Sequence, residues 1–469
     1  MNESHRYLEE EQGDENVRRA SVVVVGLGLM TVAACRSRGP RVETETIDGQ
    51  RVKVEIHDLE YHVASEAFSP EEGYGVGGVA IVTPASPLSD AVHAEPRYAS
   101  EDIYRGFVRL DRGEGVRIPL VLDAADGQGP PYDLLYMDAN NDGDLTNDSV
   151  IRRAEVTTDD SGYTSSFFPP VTIELPEESG GPHAVAVMTL YMKQHPISGG
   201  EFSHAAVRSS CYREGRVRLG GQDYRVVLLD GDCNGVFNER NPATVDNPHQ
   251  YGGDQLIVLP DGEKPAELTP DLLAQSMPLG RYVAVGDGVY EVGSEPNGGC
   301  LKVYRREVAT GPVQVGMKGC RLLFLGEDGP VVIHAGSSEA RLPIGKYRLE
   351  SQRVSRTDDE GRLWVVETYP STVFVRTASA AGMASRSARG VLEVTADSGP
   401  EIPAFGPPLV LSVSASPRGE EVSIGLSVTG ERGDPVLSVL VDGTRPPAPS
   451  FQVVSAAGKV VAEDQFEYG

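Results

Sequence analysis

Two segments of the chain, YDLLYMDANNDG at residues 132–143 and YRVVLLDGDCNG at residues 224–235, share one pattern. In each, a Tyr and a short apolar run precede alternating Asp and Asn residues that end in Gly. An apolar run of this length is typical of a buried strand, and a polar tail closed by Gly is typical of a tight turn. Both segments therefore predict a strand that enters a loop and returns as a second strand.

The rest of the sequence indicates the same fold class. Gly and Pro account for 53 and 33 of the 469 residues, and they separate short stretches rich in Val, Leu, Ile and Tyr. This pattern predicts an all-β protein of serial antiparallel β-sandwich domains, and the length predicts about three of them. We expect a β-domain with both loops at 51–254, a β-sandwich region at 255–392 and a C-terminal β-sandwich at 393–469.

The two loops carry the side chains that a metal site needs. Numbered from the first Asp, loop 1 is residues 138–149 and loop 2 is residues 230–241. Oxygen ligands at positions 1, 3 and 5, with Gly at position 6 permitting a sharp turn, can converge on a hard divalent cation. We expect Ca²⁺. The expected ligands, with backbone carbonyls at position 7, are Asp138, Asn140, Asp142, Asp144, Thr146 and Asp148 in loop 1, and Asp230, Asp232, Asn234, Val236 and Asn238 in loop 2.

Over their first seven positions, both loops resemble the calcium loops of EF-hand and dockerin proteins. They depart from that pattern at position 12, where Ser149 and Asn241 replace the bidentate Glu. Asp148, Asp246 or water must then complete the ligand shell. The flanking strands replace the helix pair whose opening makes a calcium sensor. Because loop 1 has more acidic residues, ligand charge predicts tighter binding there. An Asx/Gly turn that binds no ion is the alternative.

The amino terminus predicts export. Arg18 and Arg19 precede an apolar stretch at 21–34 that ends Val-Ala-Ala before Cys35. This resembles a bacterial lipoprotein signal peptide at 1–35, which implies that Cys35 is lipidated and that 36–50 is a tether. The apolar stretch is shorter than the ~20 residues that a membrane-crossing helix needs. We therefore expect an exported protein, lipid-anchored to the cell envelope and facing the periplasm or the surface.

Four further cysteines would lie in an oxidising compartment after export. Our preferred disulfides are Cys211 with Cys233 and Cys300 with Cys320, since each pair is near in sequence. Buried free thiols are the alternative.

Composition limits the partners. With 69 acidic and 42 basic residues, the net charge of −27 repels phosphate backbones and argues against nucleic acid as a partner. It favours cations. The histidines, His183 among them, show no metal-ligand spacing and are expected to be core or surface residues.

Two later regions resemble known β-modules. The phrases MPLGRY at 277–282 and LPIGKY at 342–347 each predict a turn that leads into a strand, and the second resembles the end of a carboxypeptidase-regulatory or transthyretin-like sandwich. Clean apolar alternation from Leu409 onward resembles immunoglobulin-like modules. A single helical turn is expected at Pro270, because Thr269 can cap it and Pro suits the first helical position.

The sequence contains no nucleophile elbow, P-loop, zinc-protease helix or dinucleotide fingerprint. We expect a calcium-binding envelope protein with a structural or interaction role. Its expected partners are the membrane, through the lipid anchor, and an envelope protein or polysaccharide. The alternative is a calcium-dependent polysaccharide-binding module or a secreted hydrolase.

Overall fold

The computed structural model describes residues 40–64, 76–85, 87–88, 92–110, 115–159, 162–175, 181–194, 199–250, 252–260, 268–273, 275–286, 288–370, 373–375, 385–387, 391–418 and 421–466. The expected signal peptide, with its lipidation site at Cys35, lies outside these residues. Pro40–Gly469 form one compact unit.

Strands make up nearly all of the regular structure. Those of the amino-terminal half are β1 Arg41–Ile47, β2 Gln50–Asp58, β3 Glu60–Val63, β4 Val79–Ile81, β5 Thr83–Pro84, β6 Tyr104–Leu110, β7 Val116–Asp123, β8 Leu134–Met137, β9 Ile151–Arg152, β10 Glu155–Thr158, β11 Thr164–Phe167, β12 Val171–Ile173, β13 His183–Met192, β14 Phe202–Ser209, β15 Cys211–Leu219 and β16 Gln222–Leu229.

The carboxy-terminal half continues the series and includes one short helix. Its elements are β17 Gln255–Pro260, α1 Pro270–Leu273, β18 Met277–Pro278, β19 Tyr282–Val285, β20 Gly288–Ser294, β21 Cys300–Tyr304, β22 Thr310–Val315, β23 Cys320–Gly326, β24 Gly329–Ala335, β25 Glu339–Pro343, β26 Gly345–Thr357, β27 Leu363–Thr368, β28 Val373–Val375, β29 Ser385–Ser387, β30 Leu392–Val394, β31 Glu401–Ile402, β32 Leu409–Arg418, β33 Glu421–Gly430, β34 Val436–Val441, β35 Ser450–Val454 and β36 Val460–Gln465.

Two sheets built from residues 79–209 form what we call the inserted sandwich. One sheet has the order β5-β6-β7-β8-β9, and the other has the order β10-β11-β13-β14-β4, with β12 beside β13. Their inner faces share one core, in which Leu120 and Met137 of the first sheet meet Val187 and Val207 of the second. This is the face-to-face packing of an antiparallel sandwich.

The host sandwich surrounds this unit in sequence. Its sheets, β1-β2-β21-β20-β19 and β18-β17-β16-β15-β3, use residues 41–63 and 211–304. Val226 and Leu228 of one sheet share a core with Val292 and Val303 of the other. The inserted sandwich therefore lies between β3 and β15 of the host.

A third sandwich follows from β22 onward. Its larger sheet has the order β24-β23-β26-β27-β34 with β30 beside β26, and its smaller sheet has the order β25-β22-β31. The β22–β31 pair is parallel, whereas the other named strand pairs are antiparallel. Its core includes Val313, Leu322 and Phe324. The predicted all-β fold with antiparallel sandwiches is confirmed.

Both strands that enter the loops are buried on two faces, as their unbroken apolar runs predict. In β16, Val226 and Leu228 face the host core, while Val227 and Leu229 join a cluster that includes Leu272 of α1. In β8, Leu135 and Met137 face the core of the inserted sandwich, while Leu134 and Tyr136 pack with Leu145 of loop 1. The predicted helix is also present. The Thr269 hydroxyl accepts a hydrogen bond from the Leu272 amide at 3.3 Å.

Several expectations need correction. Residues 41–47, expected in a tether, form β1, which pairs with β2. The four described cysteines are buried free thiols, so the preferred disulfides are not formed. Cys211, Cys233, Cys300 and Cys320 belong to four different apolar clusters. Sequence proximity did not bring either pair together because each thiol packs into a separate core.

The carboxy-terminal strands form where the alternation predicts them, but their burial differs. β32 and β33 form a two-stranded sheet, as do β35 and β36, while β34 joins β27 in the third sandwich. Leu411 and Val413, which belong to the apolar alternation that begins at Leu409, are 65% and 66% exposed. Alternation specifies a strand with an apolar face, but it does not specify what covers that face. Within the described part of the chain, no helix is long and apolar enough to cross a membrane.

Candidate metal centres

Both loops are the tips of antiparallel hairpins, so the predicted strand-loop-strand units are confirmed. Loop 1 joins β8 to β9, which pair through Leu134 with Arg152. Loop 2 joins β16 to β17, which pair through Leu229 with Gln255. The first Asp of each loop therefore follows directly after a buried strand, and its position is set by that strand.

The two loops share one backbone conformation. At position 4, Asn141 and Cys233 both adopt the left-handed region, with φ of 54° and 56°. At position 6, Gly143 and Gly235 have φ of 81° and 83°. Non-glycine residues with positive φ are uncommon, so the agreement at position 4 is informative. The Asp/Asn/Gly pattern thus specifies the same turn twice.

The Asp at position 1 has the same role in both turns. In loop 1, the Asp138 carboxylate accepts hydrogen bonds from the Asp142 and Gly143 amides, both at 3.0 Å. In loop 2, the Asp230 carboxylate accepts hydrogen bonds from the Asn234 amide at 3.2 Å and the Gly235 amide at 2.8 Å. Both carboxylates are buried. These bonds satisfy the amide groups of positions 5 and 6 and fold the loop back over its first residue.

The remaining side chains of loop 1 form local turns at the surface. The Asn140 carbonyl oxygen accepts a hydrogen bond from the Asp142 amide at 3.1 Å, and the Asp142 carboxylate accepts one from the Asp144 amide at 2.9 Å. The Asp144 carboxylate accepts one from the Thr146 amide at 2.8 Å. In each of these Asx turns, one side-chain oxygen accepts the backbone hydrogen bond.

Asp148 is the exception in loop 1. Its Oδ1 accepts a hydrogen bond from the Ala139 amide at 3.2 Å, whereas its buried Oδ2 has no hydrogen-bond partner among the described residues. Burial, together with the charges of Asp138, Asp142 and Asp144, raises the pKa of Asp148 to about 6. Asp148 therefore carries a carboxylate oxygen that needs a cationic or donor partner.

The acids of loop 1 differ according to their surroundings. Burial raises the pKa of Asp138 above its ordinary value. The Asn147 amide group lowers the pKa of Asp142, and the Thr146 hydroxyl lowers the pKa of Asp144. Hydrogen bonds to a carboxylate favour its charged form, while burial disfavours it. Loop 1 thus combines two easily ionised acids with two that resist ionisation.

Loop 2 recruits acids that the sequence pattern did not identify. The Asn234 side-chain amide donates a hydrogen bond to Oε2 of Glu239 at 2.6 Å. The Asp254 carboxylate accepts one from the Glu239 amide at 2.6 Å. Glu239 and Asp254 are both buried. Asp232 accepts one from the Gly253 amide at 3.3 Å through Oδ2, but its buried Oδ1 has no hydrogen-bond partner in the described structure.

A buried histidine lies against loop 2. Nε2 of His183 is 3.3 Å from Oδ2 of Asp230, and Nδ1 of His183 is 3.3 Å from Sγ of Cys211. The Nε2 contact lacks hydrogen-bond geometry, so this nitrogen has no such partner among the described residues. Burial raises the pKa of Asp230 to about 7, against the opposing effect of its backbone hydrogen bonds. Burial opposes ionisation of the Cys211 thiol, yet the adjacent His183 imidazole lowers its pKa.

Loop 2 is also packed between two sandwiches. Cys233 belongs to the core of the inserted sandwich, and Phe237 belongs to the core of the host. A Cβ on Gly231 would lie 2.1 Å from the Gly253 carbonyl oxygen, so the backbone segments are in close contact. Loop 2 is therefore a joint between the two sandwiches, whereas loop 1 is mostly at the surface.

The expected ligands differ in exposure. Thr146 and Asn238 are exposed, as is Asp246, which we considered as a closing carboxylate. Among the described residues, no group of three or more His, Cys, Asp or Glu side chains is arranged to hold a metal ion without rearrangement. Glu239 was missed because it stands at position 10, which is not a ligand position of the EF-hand pattern, and Asp254 and His183 were missed because they lie outside the loop. A search for acids beyond the loop pattern would have identified Glu239 and Asp254, but not their contacts.

Comparison of the chain with protein-family models, curated proteins and solved structures finds no match.

Proposed function

We propose that this protein binds Ca²⁺ at loops 1 and 2, and that it does so as an exported, lipid-anchored protein of the bacterial cell envelope with a structural or interaction role. The observation that carries the calcium proposal is the presence, in each loop, of one buried carboxylate oxygen without a hydrogen-bond partner in the described chain: Oδ2 of Asp148 and Oδ1 of Asp232. Buried polar atoms without partners are rare and point to a missing ion or water.

The donor set fits a hard cation. In loop 1, the oxygens of Asp138, Asn140, Asp142 and Asp148 and the Asp144 carbonyl would hold it. In loop 2, the oxygens of Asp230, Asp232 and Asn234 and the Val236 carbonyl would do so. Ca²⁺ takes six to eight oxygen ligands. A bound ion would supply positive charge to carboxylates that burial and mutual repulsion destabilise. Binding requires some side chains to turn away from their present Asx hydrogen bonds.

The position of loop 2 supports a structural role. Because Cys233 and Phe237 lie in the cores of two sandwiches, an ion in loop 2 would stabilise their joint. The helix pair of an EF-hand sensor is replaced by strands on both sides of each loop. The supported role is therefore stabilisation rather than sensing. The proposed location in the cell envelope is supported by the lipoprotein-like signal sequence before Cys35.

The test is calcium titration calorimetry on the full chain, together with melting curves in calcium and in chelator. We expect a stoichiometry of about two ions. Calcium at ten times the Kd should stabilise the folded state by about 1.4 kcal/mol per site. Asp138→Asn and Asp230→Asn should each remove one ion, because each replaces the first ligand of one loop. The exposed Asp397→Asn is the matched control. A wild-type stoichiometry of zero would refute the proposal.

A further inference from the structure

The sequence pattern leaves loop 2 without a closing carboxylate, because Asn241 stands at position 12. The structure brings a carboxylate to this loop from position 10. Glu239 is buried, and its Oε2 accepts the hydrogen bond of the Asn234 side-chain amide at 2.6 Å. Asn234 occupies position 5 and is itself an expected ligand. Glu239 is therefore adjacent to the place where an ion in loop 2 would lie.

We propose that Glu239 supplies the closing carboxylate of loop 2, and that loop 2 binds a hard divalent cation of the calcium class through Asp230, Asp232, Asn234 and Glu239. The inference rests on the proposed function and deepens it. It assigns to loop 2 a ligand that the EF-hand spacing does not contain.

A second observation, independent of the acidic residues, points to a ligand at this place. Nε2 of His183 is fully buried, lies 3.3 Å from Oδ2 of Asp230 without hydrogen-bond geometry, and has no hydrogen-bond partner in the described part of the protein. Oδ1 of Asp232 is also buried without a partner there. Loop 2 and the histidine packed against it thus contain two unsatisfied polar atoms. Such atoms are rare in native interiors and call for an ion or ordered water.

Asp254 positions Glu239. Its Oδ2 accepts the hydrogen bond of the Glu239 amide at 2.6 Å, and its Oδ1 accepts that of the Gly231 amide at 3.4 Å. The Asp254 amide in turn donates to the Glu239 carbonyl oxygen at 2.8 Å. Asp254 comes directly before β17, so the second strand of the hairpin fixes both position 2 and position 10 of the loop. Asp254 is a positioning residue in this arrangement.

Glu239 also changes the charge comparison between the loops. Loop 1 has four acids, Asp138, Asp142, Asp144 and Asp148, whereas the loop 2 pattern supplies only Asp230 and Asp232. Asp144 would bind only through its backbone carbonyl, so loop 1 has three carboxylate ligands, and with Glu239 loop 2 has three as well. Ligand charge is a main determinant of calcium affinity, so the predicted advantage of loop 1 disappears.

The experiment isolates loop 2 in the full chain. Asp138→Asn with Asp142→Asn silences loop 1, and calcium titration calorimetry then reports on loop 2 alone. In this background, Glu239→Gln should weaken calcium binding at least about tenfold, because it removes a charged ligand. Glu239→Asp keeps the charge on a shorter side chain and should weaken binding less. Glu393→Gln, at an exposed site in the third sandwich, should leave the Kd unchanged.

A spectroscopic measurement separates ligation from support of the fold. Eu³⁺ luminescence lifetimes in H₂O and D₂O count the water molecules on a bound ion. In the silenced background, Glu239→Gln should add about one water, since water takes the vacated position. Asp254→Asn should weaken binding by about 10- to 100-fold through the loss of positioning, without adding water in place of Glu239.

The possible failures are distinguishable. A wild-type chain that binds no calcium refutes the proposed function and the inference with it. A silenced chain that binds one ion equally well with Glu239→Gln, with an unchanged water count, refutes only the inference. If Glu239→Gln does not fold, as judged by circular dichroism, Glu239→Asp decides: an unchanged Kd and water count overturn the role of Glu239, and a weaker Kd with added water supports it.

Discussion

Loop 1 and loop 2 have the same turn in opposite surroundings. Their φ angles at positions 4 and 6 agree to within 2°, and the first Asp of each binds the same two amides. Loop 1 exposes Asn140 and Asp142, whereas loop 2 is packed between two cores. Local sequence therefore sets the turn, while the surrounding fold sets the electrostatic environment of its oxygens.

Substitutions at position 2 should distinguish the stabilities of the two loops most strongly. This position is Ala139 in loop 1 and Gly231 in loop 2. In Gly231→Ala, the new Cβ would lie 2.1 Å from the Gly253 carbonyl oxygen, so backbone must move. We expect a loss of about 3 kcal/mol in the free energy of unfolding, measured by urea denaturation in chelator.

The matched reverse change is Ala139→Gly, which creates no clash. It should cost about 1 kcal/mol or less, through backbone entropy alone. Equal losses in the two variants would show that the packing around loop 2 does not distinguish it from loop 1.

The pH dependence of stability should also separate the loops. Asp titrates near pH 3.9 in an unfolded chain, whereas the folded-state pKa is about 6 for Asp148 and about 7 for Asp230. Between these values the folded state holds a proton that the unfolded state has lost, so stability falls as pH rises. The decrease in stability should level off near pH 6 for loop 1 and near pH 7 for loop 2.

Calcium should remove this fall, because a bound ion favours the ionised carboxylates. The measurement is the melting temperature from pH 4 to pH 8, in calcium and in chelator. The Asp230→Asn variant should lose the component that extends toward pH 7. An identical pH profile of wild type and variant in chelator would contradict the assignment.

The smallest expected loss concerns Asp148. In chelator at neutral pH, Asp148→Asn should raise the free energy of unfolding rather than lower it, because the raised pKa of Asp148 means that its ionised form destabilises the folded state. It removes repulsion with Asp138, Asp142 and Asp144, and the amide oxygen can still accept from Ala139. In calcium, the variant should lose most of the stabilisation that loop 1 provides. A large loss of stability in chelator would instead mean that Asp148 stabilises the folded state without calcium.

The sequence predicted those features that depend on neighbouring residues. The runs before Asp138 and Asp230 specified buried strands, and the Asp, Asn and Gly spacing specified the turns, because each depends on contacts within a few positions. Thr269 likewise identified the start of α1. The strand positions near Leu409 followed from alternation for the same reason.

Features that depend on distant residues could not be predicted in this way. The contacts of Glu239 with Asp254, and of His183 with Asp230, arise from sheet packing that no spacing rule encodes. The same holds for the four thiols, which were expected to pair with sequence neighbours. The exposure of Leu411 also depends on what packs against the hairpin, and alternation contains no information about that.

The insertion of one sandwich into another has a consequence for how the chain assembles. Arg305 and Glu55 form an ion pair although they are 250 positions apart in sequence, and β2 obtains its neighbour β21 only then. At the usual ~5–20 residues per second, roughly 10–50 s of synthesis separate the two strands. The inserted unit draws its strands from residues 79–209 alone and can condense during that interval. The host sandwich cannot close until β21 is available, and by then every strand of the inserted sandwich is present.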